Sequence, residues 1–293
     1  MFLMIQNIIF IIKIILRRIS GPIVRGSIEK NHNTLCVIGN GPSLKKDLLL
    51  IKKNIDDYDI VSVNQFSTYK EYSIIKPKHY VLVDSIYWDG SLNEDIVANT
   101  SNAITSIISK TNWPLNLYVP LSKKLYFQKI FLKNPFINLC TIKTGGKLIK
   151  NMNIMKVILK YRLSFLPTVN VVHLAIQIGF FLRYKKIIAF GLDSDSFKSL
   201  YVDQFSNLVY SNTDHYNSNK SLKNMPAQKK HKSLSQRLDQ ASLSFKIYEV
   251  LSIQAKFENL KLLNCSSFSM IDSLDRDNLF HEKDKSNSYK SYK

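Results

Sequence analysis

Residues 34–44 read TLCVIGNGPSL, and the fold turns on them. Five β-favouring residues run into the turn Gly39-Asn40-Gly41-Pro42-Ser43. The stretch SLKKDLLLIKKNI (43–55) follows, with leucines and isoleucines at helical spacing. Strand, glycine-containing turn and helix, in that order, open a parallel α/β sheet. Further strands are read at 59–64 (DIVSVN), 79–84 (HYVLVD), 115–120 (LNLYVP), 137–142 (INLCTI) and 186–191 (KIIAFG). Several are apolar throughout, the pattern of strands covered on both faces. TVNVVHLAIQIGFFL (168–182) is apolar almost all round and reads as a buried helix. The fold class is therefore α/β, a mostly parallel Rossmann-like sheet flanked by helices.

The turn itself suggests a ligand. It sets backbone N–H groups and a helix N-terminus at the carboxyl edge of the sheet, with Ser43 expected as N-cap. Such an edge binds ligands in open α/β sheets, and a helix N-terminus favours phosphate. The third glycine of a dinucleotide fingerprint is missing, and no Gly-Lys-Ser/Thr marks a P-loop. The next strands end in Asn64-Gln65 and in Asp84. If all three strands lie parallel, these polar ends converge on one rim, where amides read a base or ribose without adding charge.

Between Asp193 and about Leu234 the chain becomes polar and rich in Tyr, Asn and Lys, with little periodicity. A stretch of that length in a compact domain reads as a lid. The organisation expected is a membrane-associating helix and linker (1–33), a Rossmann-like ligand-binding domain (34–192), the lid (193–234), a helix and strand completing the domain (235–275), and a disordered basic tail (276–293).

The formal charge is +19, a field that draws in polyanions, anionic lipid or phosphorylated molecules. No zinc-finger, RNA-recognition or homeodomain signature accompanies it, so nucleic acid is not an expected partner. Cys36, Cys140 and Cys265 are scattered without metal-ligand or redox spacing and read as small buried hydrophobes. The opening MFLMIQNIIFIIKIILRRIS is interrupted by Gln6, Asn7 and Lys13, and its arginines come last, unlike a signal peptide. It reads as an interfacial helix on an anionic membrane surface, with packing on the domain as the alternative.

VIGNGPSLKK, DIVSVNQF and HYVLVDSIYW together resemble the bacterial sialyltransferases of glycosyltransferase family 42. TVNVVHLAIQIGFFLRYKKIIAFGLDSD is similar to that family's buried helix, following strand and Gly-Ile-Asp turn. The resemblance spans roughly residues 34–84 and 168–270. It implies a Rossmann-like variant of the GT-A type that transfers a CMP-activated acidic sugar, sialic acid or a relative such as Kdo, with inversion. Carried over by position, Asn40 and Asn64 touch the donor's phosphate and nucleotide beside Gly41, Pro42 and Ser43. Gln65 and Asp84 line the sugar side, Asp84 standing where the family has Asn. Thr168 or Asn170 takes the place of the family's donor-contacting Ser, and Asp193 matches its turn Asp. Tyr201 falls on a lid Tyr that binds the leaving phosphate, while Asp195 replaces the other such Tyr.

An inverting transfer needs a base for the acceptor hydroxyl, and His suits neutral pH. The family motif His-Tyr-x-x-His is here His215-Tyr216 with Asn219 in the last position, so the candidates are His215 and His231. Asp193-Ser194-Asp195 is formally an Asp-x-Asp metal motif, but a CMP donor carries one phosphate, and the family manages without an essential metal. No metal or other cofactor is expected. The resemblance further implies a glycan or glycolipid acceptor of lipopolysaccharide or capsule, reached peripherally at the cytoplasmic face of a bacterial inner membrane. A homo-oligomer stays open. Gly-Pro-Ser-Leu alone also resembles archaeal hydroxymethylpterin pyrophosphokinases, which leaves an ATP-using enzyme as an alternative. A catalytically degenerate, basic membrane-binding protein is the other.

Overall fold

The computed structural model describes Ile9, Ile12 and residues 24–25, 29–89, 94–149, 151–202, 204, 208–210 and 233–277. Among the described residues nine strands form the main sheet: β1 (Val24–Arg25), β2 (Thr34–Ile38), β3 (Asp59–Val63), β4 (His79–Val81), β5 (Leu115–Pro120), β6 (Ile137–Ile142), β7 (Lys186–Phe190), β10 (Lys261–Asn264) and β11 (Asp275–Arg276). Their order is 1-6-5-4-3-2-7-10-11, and all pairings are parallel except β1 with β6. The Rossmann-like class read from the alternation of apolar runs is the class observed.

Two apolar layers cover the sheet, which is why its central strands carry no polar face. On one side α1 (Leu44–Lys53), α2 (Tyr72–Ile75), α3 (Glu94–Lys110) and α4 (Lys124–Phe131) bury Leu48, Tyr72, Ile107 and Phe127 against Cys36, Ile38 and Leu117. On the other, α5 (Met152–Lys160), α6 (Val171–Phe181) and α7 (Leu234–Phe257) pack Met155, Ile176 and Tyr248 onto Leu35, Val61 and Ala189. Helix α6 is buried continuously from Val172 to Phe180, as its uniformly apolar sequence requires. All three cysteines are buried and free.

Strand succession reverses between β2 and β7: the chain builds outward from β2 to β6, then returns to add β7, β10 and β11 on the other side. A reversal of this kind leaves the connections after β2 and β7 on opposite faces and opens a crevice at the carboxyl ends of the two strands.

Four local expectations differ. Asn64 and Gln65 do not end a strand but begin a 3-10 turn, Asn64–Thr68, with Asn64 left-handed at φ 50°. Strand β4 stops at Val81, and Asp84 caps a second 3-10 turn, Ser85–Tyr87, its Oδ1 accepting from Ile86 N at 3.3 Å. Within the stretch read as an irregular lid, Leu200–Val202 (β8) and Leu208–Tyr210 (β9) pair as an antiparallel hairpin. Those triplets are β-favouring but too short to register as periodicity. Val24–Arg25, inside the segment read as a linker, adds the antiparallel edge strand. Among the described residues no helix is long and apolar enough to cross a membrane.

Candidate active site

The turns after β2 and β7 cross at the reversal point. Gly39 N donates to Phe190 O at 2.8 Å and Gly41 N to Gly191 O at 3.0 Å. A Cβ on Gly39 would lie 2.5 Å from Gly191 O, and one on Gly41 would collide with the Asp193 carboxylate. Gly191 itself is left-handed at φ +66°. The glycines of the opening motif are thus required by turn-on-turn contact, before any ligand is considered.

Asp193 fills the place expected for a phosphate. Its Oδ1 accepts from Ser43 N at 3.0 Å and its Oδ2 from Ser43 Oγ at 2.7 Å. Ser43 is itself in helical conformation and makes no side-chain cap, so the expected N-cap is corrected: Asp193 supplies the anion at the start of α1 and Ser43 donates. Burial pushes the Asp193 carboxyl up to about 6, against the two Ser43 hydrogen bonds that hold it down. Neighbouring Asp47 braces the same junction, accepting from Gly191 N at 3.3 Å and Ser267 N at 3.0 Å.

Beside this plug lie two cavities sharing Asn64, Asn170, Val171 and Ser196. The first, about 180 Å³, is lined by Asn40, Gly41, Pro42, Asp193, Asp195 and Tyr248 as well. The second, about 300 Å³, adds Asp84, Phe197, Arg237, Gln240 and Ser244. Of the residues expected at the donor, Asn40, Gly41, Pro42, Asn64, Asp84, Asn170 and Asp193 therefore meet at one rim. Ser43 stands behind Asp193, while Gln65 and Thr168 line neither cavity.

Amide orientation is fixed from below. Asn40 Nδ2 donates to Val63 O at 3.1 Å, which leaves its Oδ1 buried without a partner. Asn64 Oδ1 is likewise buried and unpartnered. Buried acceptors without donors are uncommon, and a pair lining one cavity suits a ligand bearing N–H or O–H groups. Asn170 caps α6, accepting from Val172 N at 3.0 Å. His173 completes that capping box: Nδ1 accepts from Asn170 N at 3.4 Å, so Nε2 donates to Ser244 Oγ at 3.2 Å on α7. Burial lowers the His173 ring to about 3, which makes it a positioning group and not a proton carrier.

Tyr201 lies in β8 opposite Val209. His215 and His231 fall outside the described residues, so the expected base does too. Sequence reasoning missed Ser196, Arg237, Gln240, Ser244 and Tyr248. The last four come from α7, whose helical period marks a helix but gives no sign of which face meets the rim. A wider cavity, about 720 Å³, opens at the opposite, amino rim around Asp59, Lys78 and Asn116, away from every residue expected in the site.

No protein-family model matches the chain, and no curated protein matches it. Among solved structures it is similar to the MAf glycosyltransferase from Magnetospirillum magneticum AMB-1, at 14% identity and a TM-score of 0.49. The match covers 87% of this chain and 35% of that one, so this chain spans about a third of that protein's length. A likeness of that size carries no argument about activity, and the fold stands on the strand pairings themselves.

Proposed function

We propose that this chain is an inverting glycosyltransferase that moves sialic acid, or a related CMP-activated acidic sugar such as Kdo, onto a lipopolysaccharide or capsule glycan. The observation that carries the reading is the pair of buried, unpartnered acceptors Asn40 Oδ1 and Asn64 Oδ1 at the strand-order reversal. Ribose hydroxyls and the cytosine amino group are donors of the kind these oxygens need.

The plugged helix N-terminus changes one assignment made by resemblance. With Asp193 already on Ser43, a phosphate at the turn would meet like charge. The anionic parts of the donor instead suit the second cavity, where Arg237 stands with Gln240 and Ser244. In this reading Asn40 and Asn64 hold the nucleoside, and Arg237 faces the phosphate or the sugar carboxylate. The acceptor hydroxyl attacks the anomeric carbon and loses its proton to His215 or His231. The bond from that carbon to the phosphate oxygen breaks, and CMP leaves with the electron pair. The reading requires no metal. The anionic membrane, the glycolipid acceptor and a peripheral place at the cytoplasmic face belong to the same proposal, supported by the +19 charge.

The test is a thermal-shift panel of CMP- and UDP-sugars, followed by donor hydrolysis. CMP-sugars should raise the melting temperature, and the His215→Ala/His231→Ala double variant should lose hydrolysis while keeping that shift. Stabilisation by UDP-sugars alone, or by ATP with Mg²⁺ in a chelator-sensitive way, would overturn the donor class.

A further inference from the structure

The net charge is not spread along the chain. Between Ile96 and Leu192 stand fourteen lysines and arginines and no aspartate or glutamate. Four of these lysines stand on or beside one short helix: α4 and the turn after it read KKLYFQKIFLKNPF from Lys123 to Phe136. Phe127 and Phe131 point inward and are buried against the sheet. The outward face is apolar as well: Leu125 is 74% exposed, Leu132 82%, Tyr126 41% and Phe136 45%. Leu125 and Leu132 are seven residues apart and so lie on one line of the helix, with exposed Lys129 between them. Lys124 and Lys133 are exposed beside the two leucines.

We propose that this face of α4 inserts shallowly into an anionic lipid bilayer. Single exposed apolar residues need no explanation, but four of them ringed by lysine, on an acid-free stretch, have the make-up of an interfacial helix. The charge decides the occupant. Lysines on a stretch of chain without acidic residues are attracted to anionic headgroups, and their alkyl stems cover the margin between water and acyl chains. A second copy of this chain would bring the same lysines against themselves.

The fold gives this contact a direction. Helix α4 starts just past the carboxyl end of β5, the rim that carries the two cavities. Edge strand β1 runs antiparallel to β6, with Val24 opposite Ile142 at that same rim. Helix α4 runs from that carboxyl rim to the amino rim, where Phe136 O accepts from Leu115 N, so a bilayer against it would lie along the side of the sheet. The proposal does not depend on the transfer reaction and is tested without it.

A lone surface cysteine reports the contact, because the chain's own three cysteines are fully buried. Full-length Leu132→Cys carries an environment-sensitive fluorophore, and Phe257→Cys at the end of α7 serves as control. Vesicles of phosphatidylcholine with about a third phosphatidylglycerol should blue-shift the probe at 132 and not at 257. Replacing Lys124, Lys129 and Lys133 by Gln should weaken that response on the order of tenfold or more, and added salt should weaken it in the unsubstituted chain. Vesicle binding with no change at 132 would assign the contact elsewhere and overturn the proposal. So would an equal response to pure phosphatidylcholine. A shift that grows with protein concentration in the absence of vesicles would identify a second copy as the occupant and overturn it too.

Discussion

The Ser43 hydroxyl donates to Asp193 Oδ2 across 2.7 Å, joining two turns 150 residues apart in the chain. That bond, with the Ser43 N–H on Oδ1, closes the helix N-terminus at the centre of the candidate site. Ser43→Ala removes a hydrogen bond to a buried charge and should cost about 1.5–3 kcal/mol in denaturant unfolding. It should also raise the Asp193 carboxyl further, because Ser43 is what opposes burial. A chain with Ser43→Ala as stable as the parent would show the junction to be held by other contacts.

Asp193 makes a distinct contribution to the pH dependence of stability. Its folded value, about 6, lies above the ordinary 3.8, so the folded state binds its proton more tightly than the unfolded state does. That group's contribution therefore rises as pH falls from 6 to 4, by up to about 3 kcal/mol. Asp193→Asn should abolish this component when stability is compared with the parent across that range.

Two histidines act in the opposite sense. His79 is fully buried: Tyr184 donates to Asp59 Oδ2 at 2.7 Å, so His79 Nε2 donates to Tyr184 at 3.0 Å and Nδ1 accepts from Tyr118 at 3.2 Å. His79 and His173 are each held at about 3, below the usual 6.5, with burial the main cause. The unfolded chain takes up these protons between pH 6.5 and 3 while the folded chain does not, so stability is lost as pH falls. The two histidines, each worth up to about 5 kcal/mol at the limit, should outweigh Asp193 and cause acid unfolding. His173→Gln should flatten the pH–stability curve below pH 6, and an unchanged slope would count against the assignment.

Gly41→Ala should be among the most disruptive small substitutions, because its Cβ meets the Asp193 carboxylate and Gly191 O at once. Overpacking of this kind costs roughly 1–3 kcal/mol or more, read as a lower melting temperature. If the glycine instead served only a ligand, the apo protein would melt unchanged.

Asn64 separates backbone from side chain. Its φ of 50° is tolerated by Asn and Gly and disfavoured for Ala. Asn64→Gly should keep stability within about 0.5 kcal/mol, whereas Asn64→Ala should lose about 1 kcal/mol. Under the proposed function both should lose CMP-sugar affinity to a similar degree, since both lack the Oδ1 acceptor. Full affinity in Asn64→Gly would remove this residue from the donor site.

Much of the fold is legible in apolar runs alone, since strands buried on two faces and a helix buried all round have few alternatives. Helices α3 and α4 were less so, their caps being inconspicuous, and α5 is short despite its Asn151 cap. At the site, Asn40, Asn64 and Asp84 were legible as polar residues at the carboxyl side of successive strands, although the structure places each in the turn that follows. Arg237 and Tyr248 were not, because nothing local states that α7 turns those residues toward a rim built near residues 40 and 64.

By itself, then, the sequence determined the parallel sheet, the carboxyl rim and the strongly basic character of the chain. Only the tertiary structure decided what occupies the first helix's N-terminus. A glycine turn before a helix attracts an anion of any origin, and local sequence does not distinguish a ligand's phosphate from a carboxylate 150 residues away. Here the crossing of the β2 and β7 turns delivers Asp193, and the unpartnered acceptors of Asn40 and Asn64 are what remain for a ligand to satisfy.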